Sequence, residues 1–583
     1  MRKVSFYIIT FLVPFLLVGF IELAFYVFNI AEEVPIFIES EIDKRYLKLN
    51  PNIAERYFKS SLISVRGEND SFLKTKSEST LRIVIQGESS IQGFPYGHSI
   101  SAPRILKSYL KKIYPSYKVE VINLGITAIS SYVIKDMAYE VAKLEPDYVI
   151  IYAGHNEFYG AYGSATSEYA TTNENITALF FFLKRFRVFR FISSFIAGSE
   201  VEEFDATKTL MEKMAYDKKI ELDSEIYSTT IERFTSNIKD ISNIYKRNSI
   251  PFAISTLAIN LKDQPPFLSE NLTIEKLYEY IDLIKEDSVS NEVVSELEKL
   301  EKAYPTNALL YYLLGKSNLQ LGNTNAAEKY FILSLQHDAL RFRAPLELNN
   351  RLVELANSEN IDLIDVYNTF KIHSNAGIIG NELILEHIHP NILGYSILAY
   401  CFLENILGSG FLPNINSSKE LYLDEDFLNI YSNYINPLDS IIGTVTVNAL
   451  LRNWPFNLYD SLFSPPPLKY EASVELDLAV DVTSNLISHY DASLILCRNY
   501  MLENEYINML RVANALSLEW NNRPRIQIYQ FIALAKLQKI ADAKEIFCYL
   551  VHSLGREVVI KELKSVIEGT EIGFESFESF IND

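Results

Sequence analysis

Cysteine is scarce in this chain of 583 residues. Cys401, Cys497 and Cys548 are the only three, and no two of them form a C-x-x-C pair. That excludes a disulfide framework and gives no sign of a thiolate metal centre. Basic residues are in deficit as well: 54 Lys and Arg stand against 74 Asp and Glu, for a formal net charge of -20. A surface of that sign repels phosphate backbones, so no nucleic-acid partner is expected. Aromatic residues, by contrast, are plentiful, with 37 Tyr and 35 Phe. Such a composition argues for packed cores over disorder, and the length allows several of them.

The N-terminal stretch "MRKVSFYIITFLVPFLLVGFIELAFYVFNI" opens on Arg2 and Lys3 and stays apolar except at Glu22. It exceeds the roughly 20 residues that cross a hydrocarbon core, and no small-residue cleavage site follows it. Residues 1–30 are therefore expected to be a retained transmembrane anchor. Basic residues before it, and Glu32, Glu33, Glu39 and Glu41 after it, would leave the N-terminus cytoplasmic and the bulk extracytoplasmic, as in a bacterial inner-membrane protein facing the periplasm. A second stretch, Ile176–Gly198, sets Lys184, Arg185, Arg187 and Arg190 among phenylalanines. Four cations argue against a second span. A membrane-surface helix and a lid packed on its own domain both remain open.

Residues 31–80 are mixed and polar and are expected to form a stalk. Apolar runs then alternate with helical patterns. Leu81–Gln86, Lys118–Leu124, Asp147–Ala153, Pro251–Leu257 and Ile361–Val366 read as strands buried on both faces. Ser99–Tyr114, Ser131–Leu144, Tyr227–Arg247 and Arg351–Asn357 read as helices. The alternation predicts an α/β fold with a parallel sheet, and a site at the carboxyl ends of its strands. It is interrupted by a helical insertion over residues 268–340. There Gly315, Gly322, Ala327 and Phe331 fall at the small and aromatic positions of a tetratricopeptide (TPR) helix pair, which the segment resembles. The core would thus occupy 81–267 and 341–412. Residues 413–583 read as an all-α domain, TPR-like in part, with Ala543 and Phe547 at matching offsets.

The chemistry begins at "QGESSIQG". Ser89 ends the first strand and precedes a helix, which puts its N–H at a positive helix end. A serine nucleophile needs a base and donors for an oxyanion. The second strand ends at Gly125, the third at Gly154-His155-Asn156-Glu157, and a late segment reads Glu386-His387-Ile388-His389.

In this order the four blocks resemble the SGNH, or GDSL, hydrolases, whose blocks are Gly-Asp-Ser, a glycine, Gly-x-Asn-Asp and Asp-x-x-His. The longer phrases "GESSIQGFPYG" and "YAGHNEFYG" are similar to a subgroup that also carries TPR-like helices. The resemblance implies a flavodoxin-like parallel sheet flanked by helices. It also implies Ser89 as nucleophile, His389 as base and Glu386 as the acid behind it. The oxyanion hole would be formed by the Ser89 and Gly125 N–H groups and the Asn156 side chain. Glu88, Glu157 and Glu386 stand where the pattern has aspartate. Rival assignments are Ser90 as nucleophile, His387 as base, Asp365 as acid, and a Ser–His pair with Glu386 peripheral. His155 reads as a wall residue, His98 as a loop residue and Arg104 as structural. No cofactor or metal is called for. The expected activity is hydrolysis of acyl esters on a glycan or lipid. An O-acyltransferase of a surface polysaccharide, or a repeat scaffold with a vestigial site, are the alternatives. A protein partner would dock on the TPR-like helices.

Overall fold

The computed structural model describes residues 2–41, 43–58, 70–166, 179, 183–197, 210–215, 219–272, 274–412, 432–459, 472–520 and 523–581. The segment expected to be a stalk packs on the main body. Strands β1 (Phe37–Glu39), β2 (Tyr46–Leu49) and β3 (Phe72–Leu73) pair antiparallel, and Ile36, Leu49, Ile53, Tyr57 and Phe72 join the principal core. A stalk does not bury five large apolar side chains. The sheet is also tied down by charge. Arg82 donates through Nε to Glu120 Oε2 at 2.9 Å and through Nη2 to the Leu73 carbonyl at 2.6 Å, while Glu120 accepts the Leu73 N–H at 2.9 Å. Both charged groups are buried, and a buried pair is tolerable only with its lone pairs and protons used in this way.

The five apolar runs form one parallel sheet: β4 (Thr80–Gly87), β5 (Lys118–Gly125), β6 (Tyr148–Tyr152), β7 (Phe252–Ser255) and β8 (Asp362–Ile364), in the order β5-β4-β6-β7-β8. Counted from β4 this is 2-1-3-4-5, the flavodoxin-like order. Every residue of β4 is buried, because helices cover both faces of the sheet. Helix Ala102–Ile113 packs with Ile392–Gly408, and helix Ser131–Ala142 packs with Glu225–Arg247. Register aligns Gly87 with Gly125 on one side and Tyr152 on the other, so three carboxyl ends meet at one level. The order reverses between β4 and β6, which opens a crevice there.

Between β7 and β8 the chain makes helices Tyr278–Lys285, Asn291–Ala303, Ala308–Gln320 and Thr324–His337, with Gly315 lying against the Phe331 ring. From Pro437 on the described residues are mostly helical, and most of them close on a second core around Leu496, Met509, Phe531 and Phe547. The two bodies meet through the loop after Ser89. Ser99 donates its N–H and hydroxyl to Asp439, and Lys107 donates to the Leu518 carbonyl. Tyr96 lies flat on Gly443, where a Cβ would come within 2.2 Å of the ring.

The expected transmembrane anchor is corrected. Among the described residues, no helix is long and apolar enough to cross a membrane. Arg2–Val27 is one helix, and it packs with helix Arg187–Ala197. The Glu22 carboxylate accepts the Arg187 and Val188 N–H groups at 2.7 and 2.9 Å, and so caps helix Arg187–Ala197. Arg187 in turn donates to the Phe25 and Ile30 carbonyls at 3.3 Å, and Arg190 to Ala31 at 2.9 Å. Glu22 is thus a cap with partners, and Arg187 and Arg190 satisfy carbonyls at and just beyond the end of the first helix.

Candidate active site

Ser89 opens a single helical turn, Ser89–Gln92, directly after β4. Its N–H is therefore one of the first-turn amides that have no partner within the helix. The turn sits close to the sheet because β5 ends in glycine. A Cβ on Gly125 would lie 2.1 Å from the Gln92 nitrogen. Residue type at 125 is thus dictated by a backbone contact that fixes the height of Ser89.

The base arrives from far along the chain. The Leu383–Asn391 loop folds on itself, with Leu385 N–H donating to the His389 carbonyl at 2.8 Å and Asn391 capping helix Ile392–Gly408. Asn260 donates its side-chain amide to the Glu386 carbonyl at 2.6 Å and holds this loop over the ends of the strands. His389 Nε2 lies 2.7 Å from Ser89 Oγ, and its Nδ1–H donates to Glu386 Oε1. With Nδ1 protonated, Nε2 is left as the acceptor for the serine proton. The Phe94 ring packs on the His389 ring at a centroid distance of 4.4 Å.

Glu386 carries more than one imidazole. Its Oε2 accepts the His387 N–H and the His387 Nδ1–H, and also the Ile388 N–H at 3.2 Å. Its side chain is fully shielded from solvent. Burial alone would raise its pKa, but the two imidazoles hold it well below the usual carboxylate range. For His387, burial outweighs the Glu386 carboxylate and keeps the imidazole basicity below its ordinary value.

The oxyanion donors are held by a second acid. Glu88, one residue before Ser89, accepts the N–H groups of Gly154 at 3.1 Å, His155 at 3.0 Å and Asn156 at 3.2 Å. The loop bearing Asn156 is thereby fastened to the residue next to the nucleophile. Burial, with the nearby Glu157 charge, raises the Glu88 pKa to about 8 against those three amides. Glu157 accepts the Ser131 N–H at 2.6 Å and hydroxyl at 2.8 Å, and burial raises its pKa to about 7. Asn156 Nδ2 is buried with no partner among the described residues, a donor still unspent. The Gly125 N–H, in contrast, donates to Asn123 Oδ1 at 2.9 Å and must leave that acceptor before it can serve an oxyanion.

The rival assignments find other places. Ser90 Oγ donates to the Ile388 carbonyl at 3.4 Å. Asp365 caps helix Val366–Ile372 by accepting the Asn368 N–H. His155 Nδ1 accepts the Ala344 N–H at 3.4 Å, which puts the ring proton on Nε2, and that atom is buried without a partner. Burial, then the neighbouring His387 and His389, push the His155 pKa down to about 3, so it is neutral. Arg104 is buried against Asp70 and donates to the His98 carbonyl at 3.0 Å. The sequence reading missed the double load on Glu386. The signal was the H-x-H spacing itself, which can put two imidazoles on one carboxylate.

No protein-family model matches the sequence, and no curated protein matches it either. Among solved structures the chain is similar to a GDSL-like lipase from Bacteroides thetaiotaomicron, with 12% identity over 58% of this chain and 93% of that one, at a TM-score of 0.26. It is also similar to an acetylxylan esterase from Geobacillus stearothermophilus, with 12% identity over 58% of this chain and 100% of that one, at a TM-score of 0.28. Overlap this loose says nothing of chemistry, which stands on the geometry above.

Proposed function

We propose that the chain is a serine esterase of SGNH type that hydrolyses acyl esters. One observation carries the reading: an unbroken run of bonds from Ser89 Oγ through His389 to a buried, ionised Glu386. Ser89 Oγ attacks the ester carbonyl carbon while His389 Nε2 takes the hydroxyl proton. The tetrahedral oxyanion is held by the Ser89 N–H and the Asn156 side-chain amide, joined by Gly125 N–H once it turns from Asn123. Glu386 stabilises the imidazolium as it forms. His389 then protonates the departing alkoxide, which leaves as the alcohol. Water attacks the acyl-serine with His389 again as base, and the acid product leaves. The substrate class is an acyl ester on a glycan or lipid, in keeping with the sequence resemblance. Helices Ala308–Gln320 and Thr324–His337 are the place for a protein partner on this reading.

The test is direct. The full chain is incubated with p-nitrophenyl acetate and with a serine-directed phosphonate. Stoichiometric labelling at Ser89, lost in His389→Ala and in Ser89→Ala, is the expected result. A folded protein that takes no label sinks the proposal. A glycan acceptor added to the assay reads the fate of the acyl group, and acylated glycan in place of free acid would move the activity to transfer.

A further inference from the structure

A second cluster of ligating side chains lies away from the nucleophile, where the α/β body meets the C-terminal helices. His98, His489 and Glu519 bring one ligand atom each to within 4.8 Å of one another. They come from three elements: the loop after the Ser89 turn, helix His489–Leu502 and helix Tyr506–Glu519. The His98 and His489 rings stack at a centroid distance of 3.7 Å and an angle of 12°. His98 Nδ1 is 2.8 Å from Glu519 Oε2.

What sets this cluster apart from an ordinary buried ion pair is the capacity left unused. His489 Nε2–H donates to Asp439 Oδ1, which fixes the tautomer and leaves Nδ1 with a lone pair. That Nδ1 is buried and has no partner among the described residues. Glu519 Oε1 is likewise buried without a partner, in a residue only 2% exposed. Two unpartnered electron-pair donors buried in one cluster are costly unless something accepts from both. An imidazole that gives one N–H to a carboxylate while its other nitrogen stays bare is the arrangement found behind metal-bound histidines. His98 is held with φ of 30°, a left-handed conformation that a bulky residue rarely adopts, and Arg104 fixes it through the His98 carbonyl. The Arg104 charge is itself compensated by Asp70.

We infer that His98, His489 and Glu519 form a binding site for a divalent transition metal, with zinc the best match, that clamps the C-terminal helical body to the loop following the nucleophile. Two imidazole nitrogens and one carboxylate oxygen suit zinc, and a fourth position is left for water. Zinc at about 2.0–2.2 Å from each ligand needs the three donors about 3.4 Å apart, so the two stacked rings must turn about their side-chain torsions until their in-plane lone pairs converge. The metal touches no reacting atom. Its role is structural, because Phe94 on His389 and His98 on the metal belong to one short loop.

The test uses the full chain, freed of metal by chelation and dialysis, then titrated with zinc and separately with cobalt. Expected are one zinc bound per chain, a raised Tm, and the intense visible bands of four-coordinate cobalt. His489→Ala and Glu519→Gln each weaken zinc binding by about 100-fold or more, and Asp439→Asn by about 10–100-fold. His98→Ala, a change in a partly exposed loop residue, loses the cobalt bands while far-UV circular dichroism shows the fold retained, and so covers the case in which a buried variant fails to fold. The other His/Glu cluster, Glu386 with His387 and His389, is the internal control. No uptake by the native chain overturns the inference. So does uptake that survives His98→Ala and Glu519→Gln but disappears in His387→Gln.

Discussion

At the scale of single residues, the site divides its acids by load. Glu386 works as an anion between two imidazoles, whereas Glu88 is a buried carboxyl that three backbone amides surround. The two are shifted in opposite directions, so they respond to pH differently. A carboxyl whose folded pKa is raised contributes its stability below its ordinary value and loses it as pH climbs through the folded value. For Glu88 that window runs from 4.5 to about 8. Glu88→Gln removes this dependence. The Tm difference between native chain and variant is therefore expected to shrink by several degrees as pH is raised across that window, by thermal melts at matched ionic strength. A difference that stays constant would mean that Glu88 is not protonated in the fold. Asn156 offers a second residue-scale test. Its buried, unspent amide predicts a fall of about 10²–10³-fold in kcat for Asn156→Ala, with KM for p-nitrophenyl acetate little changed. A loss confined to KM would remove it from the oxyanion hole.

At the scale of elements, the carboxyl ends of β4, β5 and β6 set the height of every donor. Gly125 is the clearest case. Its α-hydrogen faces the Gln92 backbone, and Gly125→Ala would put a carbon 2.1 Å from that nitrogen. The backbone cannot yield as a side-chain tip would. A loss of about 1–3 kcal/mol is expected, read from the urea midpoint, together with a fall in kcat larger than the unfolded fraction explains. Activity retained in proportion to the folded fraction would mean that Ser89 does not depend on this contact.

The five strands of the parallel sheet were legible because runs such as Arg82–Gln86 are buried on both faces and carry their apolar residues without alternation. The serine stood out in a short motif at a strand end, and the histidine and the acid in a short motif of a late loop, and the structure brings the three side chains together. Other features were hidden for physical reasons. Apolar residues at Ile36, Leu49 and Phe72 are spaced too widely to announce a small sheet, and Arg82 and Glu120, which help to tie it to the core, are distant in sequence. Glu22 read as a flaw in a membrane span, since nothing local shows that it caps a helix some 160 residues later. Gly125 was read as an oxyanion donor. Nothing in its surroundings in the sequence shows that its N–H is already given to Asn123.

At the scale of the whole molecule, the α/β body and the C-terminal helices share one seam, and it begins a few residues after the nucleophile. Asp439 is central to it, since it accepts from Ser99 twice and from His489. Asp439→Ala leaves a buried hydroxyl, an amide and an imidazole without their acceptor. A loss of about 3–5 kcal/mol is expected, as for a broken buried charge network, and esterase activity falls with it because the Ser99 loop leads back to Phe94 on His389. Limited proteolysis reads the seam directly: the variant should release the C-terminal helices under conditions in which the native chain stays whole. Equal resistance would place the strength of the seam elsewhere, at Tyr96 on Gly443.

The grip of Glu88 on the amides of 154–156 has a consequence for how such a chain can vary over time. The path between β6 and helix Glu225–Arg247 is long, and a long excursion normally drags its own starting point with it. Here the starting point is pinned from the neighbouring strand. The chain beyond can be lengthened, shortened or replaced while Asn156 stays where it is. Reaction geometry is thus a trait insulated from change in the stretch that follows it, inherited apart from it along one gene.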